Sequence, residues 1–437
     1  MNNTGSKKSI VIIGNGISGT TLARHIRKNS SYAITIISDE TPYFFSRTAL
    51  MYVYMGHLPF SDTEPYEPQF WKDNSITLLQ QRVTRILPEK KLLQFDDSRR
   101  YSYDTLVIAT GSKPNFLGWP GQNLKAVQGL YHKQDVDQLE AWTASIQNAV
   151  IVGGGLIGIE LAEMLHSRGK KVHFLIRESH FWNTVLPQEE AELVTQHIIA
   201  NGIDLHLNTE LKSITSDEEG RANGVYTKEG TLIPCQWVGL SVGVSPNIAF
   251  LDQSDLQLNK GILVNRYLET NQKGIYAIGD CAEQTEPQQG RAAIEAVWYT
   301  GRMMGETLAQ TLTGKKTPYT PGPWFNSAKF FNIEYQIYGK VSVAPDSQEE
   351  RQLLWKRKSK NRTIRISYHP TTLRFLGCMS LGVRFRHAYF DAALRNHKNM
   401  EYILSTLDES FFDPEFYPTY KKEIQMLWEL EKSNLIL

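Results

Sequence analysis

Two stretches of the chain repeat one order of apolar and polar positions. Ser9 to Ile13 is a short apolar run, Gly14-Asn15-Gly16-Ile17-Ser18-Gly19 follows, and Leu22, Ala23 and Ile26 then recur at helical spacing before a second apolar run, Ile34 to Ile37. This predicts a βαβ unit with a glycine turn between strand and helix. The order returns 139 positions later, where Ala149 to Val152 leads into Gly153-Gly154-Gly155-Leu156-Ile157-Gly158. In such a turn the first glycine permits the bend, the second lets the backbone approach a pyrophosphate, and the third lets helix and strand pack closely, while the helix N-terminus favours the anion. A glycine motif alone is weak. Two in strand–turn–helix context predict two bound nucleotides.

Asp39 lies 20 residues after Gly19, where an acid would hydrogen-bond a ribose hydroxyl, although a solvated loop acid is the plainer reading. Beyond the irregular, proline-containing stretch from Pro59 to Pro68, Tyr103 to Thr110 reads as a buried parallel strand running into Ala109-Thr110-Gly111. Pro187 opens a helix with Leu193, Val194, Ile198 and Ile199, and turns at Gly220 and Gly230 flank strands over Gly224–Thr227 and Thr231–Val238. The apolar Ile275–Ile278, ending in Gly279-Asp280, is predicted to return to the first core, followed by a long helix from Arg291 to Leu312.

The first nucleotide-binding domain is therefore expected to be discontinuous, over residues 1-117 and 243-317, with the second inserted at 118-242. Pro318, Pro321 and Pro323 mark a linker, and residues 318-437 form an expected third domain of α+β type, ending in a helix through Leu427, Trp428 and Leu430. Its run from Arg351 to Arg365 holds seven Lys or Arg residues and reads as a solvated strand face rather than a dock for an acidic protein. The aromatics Phe411, Phe412, Phe416, Tyr417 and Tyr420 read as core, with an interface as the other reading and the oligomeric state open.

At 437 residues the chain is too long for one core, and 41% hydrophobic with 21% charged residues excludes disorder and fibrous repeats. With 47 basic and 46 acidic residues, neither nucleic acid nor an anionic membrane is expected as the main partner. No apolar stretch approaches the ~20 residues of a transmembrane helix, and the run after Lys7-Lys8 breaks at Gly14, as a strand rather than a signal would. Cys235, Cys281 and Cys378 are far apart and contain no CxxC pair, so no metal site is nominated and a reducing cytoplasm is expected.

The order of these motifs resembles the two-dinucleotide flavoproteins, the FAD-dependent pyridine nucleotide-disulfide oxidoreductase superfamily. Pro42-Tyr43-Phe44-Phe45-Ser46-Arg47 followed by Leu50 is similar to rubredoxin reductases, ferredoxin reductase components of dioxygenases, the flavoprotein part of nitrite reductases and apoptosis-inducing factor. The resemblance spans about residues 8 to 340. It implies an α/β fold with two Rossmann-like, glutathione-reductase-like domains for FAD and NAD(P), plus the α+β C-terminal domain.

It also implies FAD along Gly14, Gly16 and Gly19, Asp39 on its ribose, Arg47 near pyrophosphate or flavin, the Val83 backbone at the adenine, and Asp280 beside Gly279 on the ribitol. Ala109, Thr110, Gly111 and Gly243 join the cofactor-binding set. Gly153, Gly155 and Gly158 would hold the nicotinamide nucleotide, with Glu160 beside the nicotinamide, although a first-turn glutamate also serves the helix dipole. The redox-active cysteines of the disulfide reductases have no counterpart between Asp39 and Gly56, so the flavin itself is expected to be the chemical centre.

The match departs at Tyr52, five residues after Arg47, where relatives often carry a lysine near the flavin. A phenol cannot stabilise a reduced anionic flavin as an ammonium does. Glu178 lies 20 residues after Gly158 and could take a ribose hydroxyl, while Arg177 could pair with a 2′-phosphate. The strand-end acid of NADH-specific relatives aligns with Ile176, which favours NADPH. The expected function is an FAD-dependent NAD(P)H oxidoreductase passing electrons to a small rubredoxin- or ferredoxin-like protein. The rival readings are a quinone or small-acceptor reductase, with Tyr43, Phe44 and Phe45 lining the acceptor pocket, and a nucleotide-controlled binding protein like apoptosis-inducing factor.

Overall fold

A computed structural model describes residues 8–357 and 361–435. Lys7 of the N-terminal pair, Lys358 and Lys360 of the basic run, and the outermost residues of the expected first and third domains lie outside the described residues. In chain order the framework is β1 (Ser9–Ile13), α1 (Ile17–Asn29), β2 (Ala33–Ser38), β3 (Ile76–Gln80), β4 (Thr105–Ile108), β5 (Asn148–Val152), α2 (Leu156–Ser167), β6 (Lys171–Leu175), α3 (Gln188–Ala200), β7 (Asp204–His206), β8 (Ile275–Ala277) and α4 (Trp298–Leu312). The C-terminal part adds β9 (Phe325–Phe330), β10 (Ile333–Gly339), β11 (Arg351–Arg357), β12 (Arg362–Tyr368), β13 (Phe375–Leu381) and α5 (Lys421–Leu435).

These elements form two compact units, one of residues 8–146, Ser216–Ala222 and Gln236–Pro321, the other of Gln147–Thr215, Asn223–Cys235 and the described residues from Gly322 onward. In the first, a parallel sheet runs β8-β4-β1-β2-β3, with Ile10 opposite Ile34 and Ile12 opposite Ile36. The central strands are apolar on both faces because helices cover parallel sheets, and Ile10, Val11, Ile12, Leu106, Val107 and Ile108 are all fully buried. β8, predicted to return to this core, pairs with β4.

α4 lies against α1, and small residues set how closely. A Cβ at Gly301 would press on the Ser18 hydroxyl and one at Gly305 on the Ser18 carbonyl. Leu22, Met304 and Leu308 are buried in the same core.

In the second unit β5, β6 and β7 run parallel, and the C-terminal sheet is antiparallel in the order β9-β10-β13-β12-β11. The two share packing. Trp182 meets Phe330 and Tyr335 edge-on, and Arg365 of β12 donates to Glu189 and Glu190 at the start of α3, 2.7 Å each.

Three expectations are corrected. Arg365 is 6% exposed and ion-paired, so the basic run is not a uniformly solvated face. The helix expected from Arg291 begins at Trp298; Arg291 and Glu295 form a buried ion pair outside it, an i,i+4 spacing that imitates a helical one. The strand expected over Thr231–Val238 is two: Leu232–Pro234 pairs antiparallel with Ala222–Thr227, while Trp237–Leu240 runs parallel to Val127–Gln128.

Candidate functional site

Each glycine turn closes on its own βαβ unit. Gly14 has φ +112°, its N–H donates to the Ile37 carbonyl at 2.7 Å, and a Cβ there would run into the Ala109 carbonyl. A Cβ on Gly19 would strike the Gly14 carbonyl, so the third glycine allows close helix–strand packing. Gly16 is different. It opens α1 without a side-chain cap, and a Cβ there would meet open space. Uncapped N–H groups at a helix start are an anion site.

The other residues expected to meet FAD lie in the same unit, where Ala109 packs on Gly14 and Gly279 on Ser18. Asp39 accepts from Arg82 at 2.9 Å in an exposed pair, and Val83, next to Arg82, starts the strand Val83–Leu87. Thr110 donates to the Asn247 carbonyl at 2.9 Å, and the Asn247 N–H returns to the Gly111 carbonyl. Gly243, φ +89°, accepts from the Asn115 N–H at 3.1 Å. A Cβ on Gly279, φ +74°, would collide with the Ser18 hydroxyl. Asp280 follows, accepting from Ser112 at 2.9 Å and Tyr131 at 3.3 Å on Oδ2, with burial as the main cause of its raised pKa. Tyr52 lies in the short helix Leu50–Tyr54, its ring stacked 5.9 Å from His57.

Glu40 was not foreseen from the sequence. Its carboxylate takes both arms of Arg47, at 2.9 and 2.6 Å, and the Lys133 N–H at 2.9 Å, with His132 at 3.6 Å. Burial pushes Glu40 up, but His132 and Arg47 outweigh it and hold the carboxyl at about 2. Burial likewise opposes the charge of Arg47, and Glu40 more than restores it. The guanidinium lies over the Tyr131 ring, 4.4 Å to the centroid, so Glu40, Arg47, Tyr131 and Asp280 form one chain of polar contacts. Bidentate geometry of this kind fixes orientation as well as charge. Only the acid–arginine spacing could have signalled it, since the other partners are some 90 residues away.

In the second unit Gly153 repeats the Gly14 geometry, with φ +114° and its N–H on the Leu175 carbonyl at 3.1 Å. Gly155 opens α2 uncapped and a Cβ on it would meet open space, while Gly158 is buried. Both second glycines therefore leave room for a phosphate, and the residues present fit two dinucleotides. At the end of β6, Ile176 is fully buried beneath Gly154, whereas Arg177 and Glu178 pair with each other at 2.6 Å, Arg177 73% exposed. Glu160 sits one turn before Glu163 on α2. Burial and the Glu163 charge push its carboxyl up to about 7, and Glu163 itself takes Lys329 of β9 at 2.8 Å.

No accessible thiol accompanies these sites, because all three cysteines are buried outside any disulfide, and burial pushes Cys281 up to about 11. Of the aromatics expected to line an acceptor pocket, Phe44 and Phe45 are 6% and 4% exposed and pack on Tyr66 and Phe60. No described helix is long and apolar enough to cross a membrane.

Comparison with known proteins agrees with this architecture. The pyridine nucleotide-disulphide oxidoreductase pattern matches residues 8–296. The chain is 32% identical over 326 residues to the rhodocoxin reductase of Rhodococcus erythropolis, spanning 74% of this chain and 76% of that one. It is 26% identical to the rubredoxin-NAD(+) reductase of Ectopseudomonas oleovorans, over 78% and 90% of the two chains. The fold is shared with the covalent putidaredoxin reductase–putidaredoxin complex at a TM-score of 0.80 and 19% identity, over 98% of this chain and 100% of that one. The chain belongs to the pyridine nucleotide-disulphide oxidoreductase family, oxidoreductases that use FAD and a nicotinamide nucleotide.

Proposed function

We propose that this chain is an FAD-dependent NAD(P)H oxidoreductase that delivers electrons to a small rubredoxin- or ferredoxin-like protein. The observation that carries the reading is the pair of uncapped helix starts, Gly16 and Gly155, each opening onto free space behind a glycine of positive φ or its equivalent strand end. FAD, when bound, takes up a hydride equivalent and releases electrons one at a time, which suits a one-electron acceptor. The chain's own part is to hold and orient. The N–H groups around Gly16 take the pyrophosphate, Arg47 is fixed by Glu40 beside it, Asp280 receives hydroxyls, and Gly155 takes the second nucleotide. Glu160, near the midpoint of its titration at neutral pH, holds a proton beside the nicotinamide.

The domain assignment proposed is 1-117 with 243-317 for FAD, 118-242 for the nicotinamide nucleotide, and 318-437 as the C-terminal domain, in a cytoplasmic enzyme. Rhodocoxin reductase and rubredoxin-NAD(+) reductase carry such acceptors in their names, and this supports the acceptor class. The finer reading is NADPH, with Arg177 leaving Glu178 for the 2′-phosphate; the rubredoxin reductase relative is named for NAD(+) instead.

Anaerobic titration with NADH and with NADPH, following the flavin band, tests both points. Bleaching by either nucleotide, followed by reoxidation with rubredoxin or a [2Fe–2S] ferredoxin, is the expected result. Bleaching with reoxidation only by quinones would replace the acceptor, and a yellow protein that neither nucleotide bleaches would remove the enzymatic reading.

A further inference from the structure

Away from both glycine turns, three metal-ligating side chains meet on one face of the β6–β7 pair. His173 of β6 stands opposite Asp204 of β7 in the parallel register, and His206 follows two residues along, on the same side of the strand. His173 Nδ1 lies 2.9 Å from Asp204 Oδ2 and 3.3 Å from His206 Nε2, and His206 Nε2 lies 3.4 Å from Asp204 Oδ1.

An ionised Asp204 offers only lone pairs, and each neutral imidazole carries a lone pair on one ring nitrogen. His206 Nε2 approaches Asp204 Oδ1 at 3.4 Å, an ion-pair distance rather than a short hydrogen bond. A cation held among the three side chains would take a lone pair from each.

The dimensions agree. Metal–ligand bonds of about 2.0–2.1 Å in a tetrahedron place neighbouring ligand atoms about 3.3 Å apart; the two imidazole nitrogens are 3.3 Å apart, and the carboxylate meets His173 at 2.9 Å through Oδ2 and His206 at 3.4 Å through Oδ1. All the ligand atoms fall within 4.8 Å of one another. Two imidazoles and one carboxylate are borderline donors suited to Zn²⁺ rather than to Ca²⁺ or Mg²⁺, which prefer all-oxygen shells. Exposure rises from His173 at 12% through His206 at 30% to Asp204 at 45%, so the remaining coordination position faces solvent.

We propose that His173, Asp204 and His206 form a Zn²⁺ site that ties β7 to β6 and leaves one position to water. The site adjoins the nucleotide-binding strand end, since the Asn208 N–H, two residues beyond His206, donates to the Glu178 carbonyl at 3.1 Å. Its ligands are 31 and two positions apart in sequence, a spacing that matches no short metal motif.

The test uses the flavin-loaded full chain, treated with chelator and dialysed against Zn²⁺ with metal analysis and thermal unfolding as readouts. One Zn²⁺ per chain is expected, with a melting temperature that rises with Zn²⁺. Loss of an outer-shell partner already weakens metal sites about 10–100-fold, so His206→Ala and Asp204→Asn, each directly removing or weakening a ligand, should reduce affinity by at least that factor. A far-ultraviolet circular dichroism spectrum and a cooperative thermal transition matching those of the Zn²⁺-free parent report that each variant is folded. Failure of the parent to retain stoichiometric Zn²⁺, or unchanged binding in both variants, would overturn the site and leave a His173–Asp204 hydrogen bond in its place.

Discussion

Gly14 and Gly153 take the same left-handed backbone, at φ +112° and +114°, and each donates its N–H to the neighbouring strand. What surrounds them differs. Beside the first turn stand Glu40, 11% exposed and bound to Arg47 through two hydrogen bonds, and α4, whose glycines close on Ser18. Beside the second, the strand end carries Arg177 and Glu178 in a single pair, with Arg177 largely in solvent. The backbone geometry that suits a phosphate is thus common to both turns, and the side chains around it differ. A braced, partly buried surround suits a cofactor that stays, and a solvated one suits a nucleotide that exchanges at each turnover.

The largest effects should come from the second glycines. Gly16→Val adds a side chain where α1 opens onto free space, so the fold should survive and the flavin should not. Two phosphate hydrogen bonds lost at about 1.5–3 kcal/mol each correspond to a hundredfold or greater loss of FAD affinity. Gly155→Val should give the opposite phenotype, a yellow protein no longer bleached by NADH or NADPH. If Gly16→Val retains FAD at stoichiometry, the assignment of the two turns is reversed or wrong.

Next is Glu40→Gln, which should cost about 3 kcal/mol because Arg47 loses its charged partner. Its folded pKa, about 2, lies below the ordinary 4.5, so the parent's extra stability is present above 4.5 and is lost as pH falls through 2. Denaturant midpoints measured from pH 7 downward should therefore converge for parent and variant at the acid end.

Glu160→Gln should show the reverse sign. The folded pKa of about 7 lies above 4.5, so this group's contribution is fully present below 4.5 and is lost as pH rises through 7. The variant should be the more stable protein at pH 8, by about 2 kcal/mol, and the difference should vanish by pH 4. A parent whose stability is flat across that range would mean that Glu160 is solvated. The smallest change is expected for Arg177→Ala, which should weaken NADPH relative to NADH about tenfold through one charge-assisted contact. Equal shifts for both nucleotides would remove Arg177 from phosphate recognition.

Both βαβ units were legible in the sequence because their signals are local. Ser9–Ile13 is a strand with the bounds its apolar run suggested, and the turn glycines carry their own backbone requirement. The network around Arg47 was not legible in the same way. The role of Glu40 depends on His132 and Lys133, and nothing near Glu40 distinguishes it from Asp39, which ends in an exposed pair with Arg82. Arg365 was misread for a related reason: Lys356 and Arg357 of the same basic run are exposed, and only α3, far away in the chain, supplies the acids that pair with Arg365. Charge is read locally in a sequence but neutralised by whatever the fold brings near.

The place of β8 also has a consequence for how the protein is made. β4 leaves the ribosome long before Ile275–Ala277, its partner in the sheet, and Asp280 and α4 come later still. At roughly 5–20 residues per second the gap is about 10–30 s. During that interval the nascent first unit has an unpaired strand edge and an α1 without its covering helix, which exposes it to misassociation. The second glycine turn, its strands and α2 are synthesised within this delay, so the unit that begins first is the one whose sheet and covering helix are finished after most of the chain already exists.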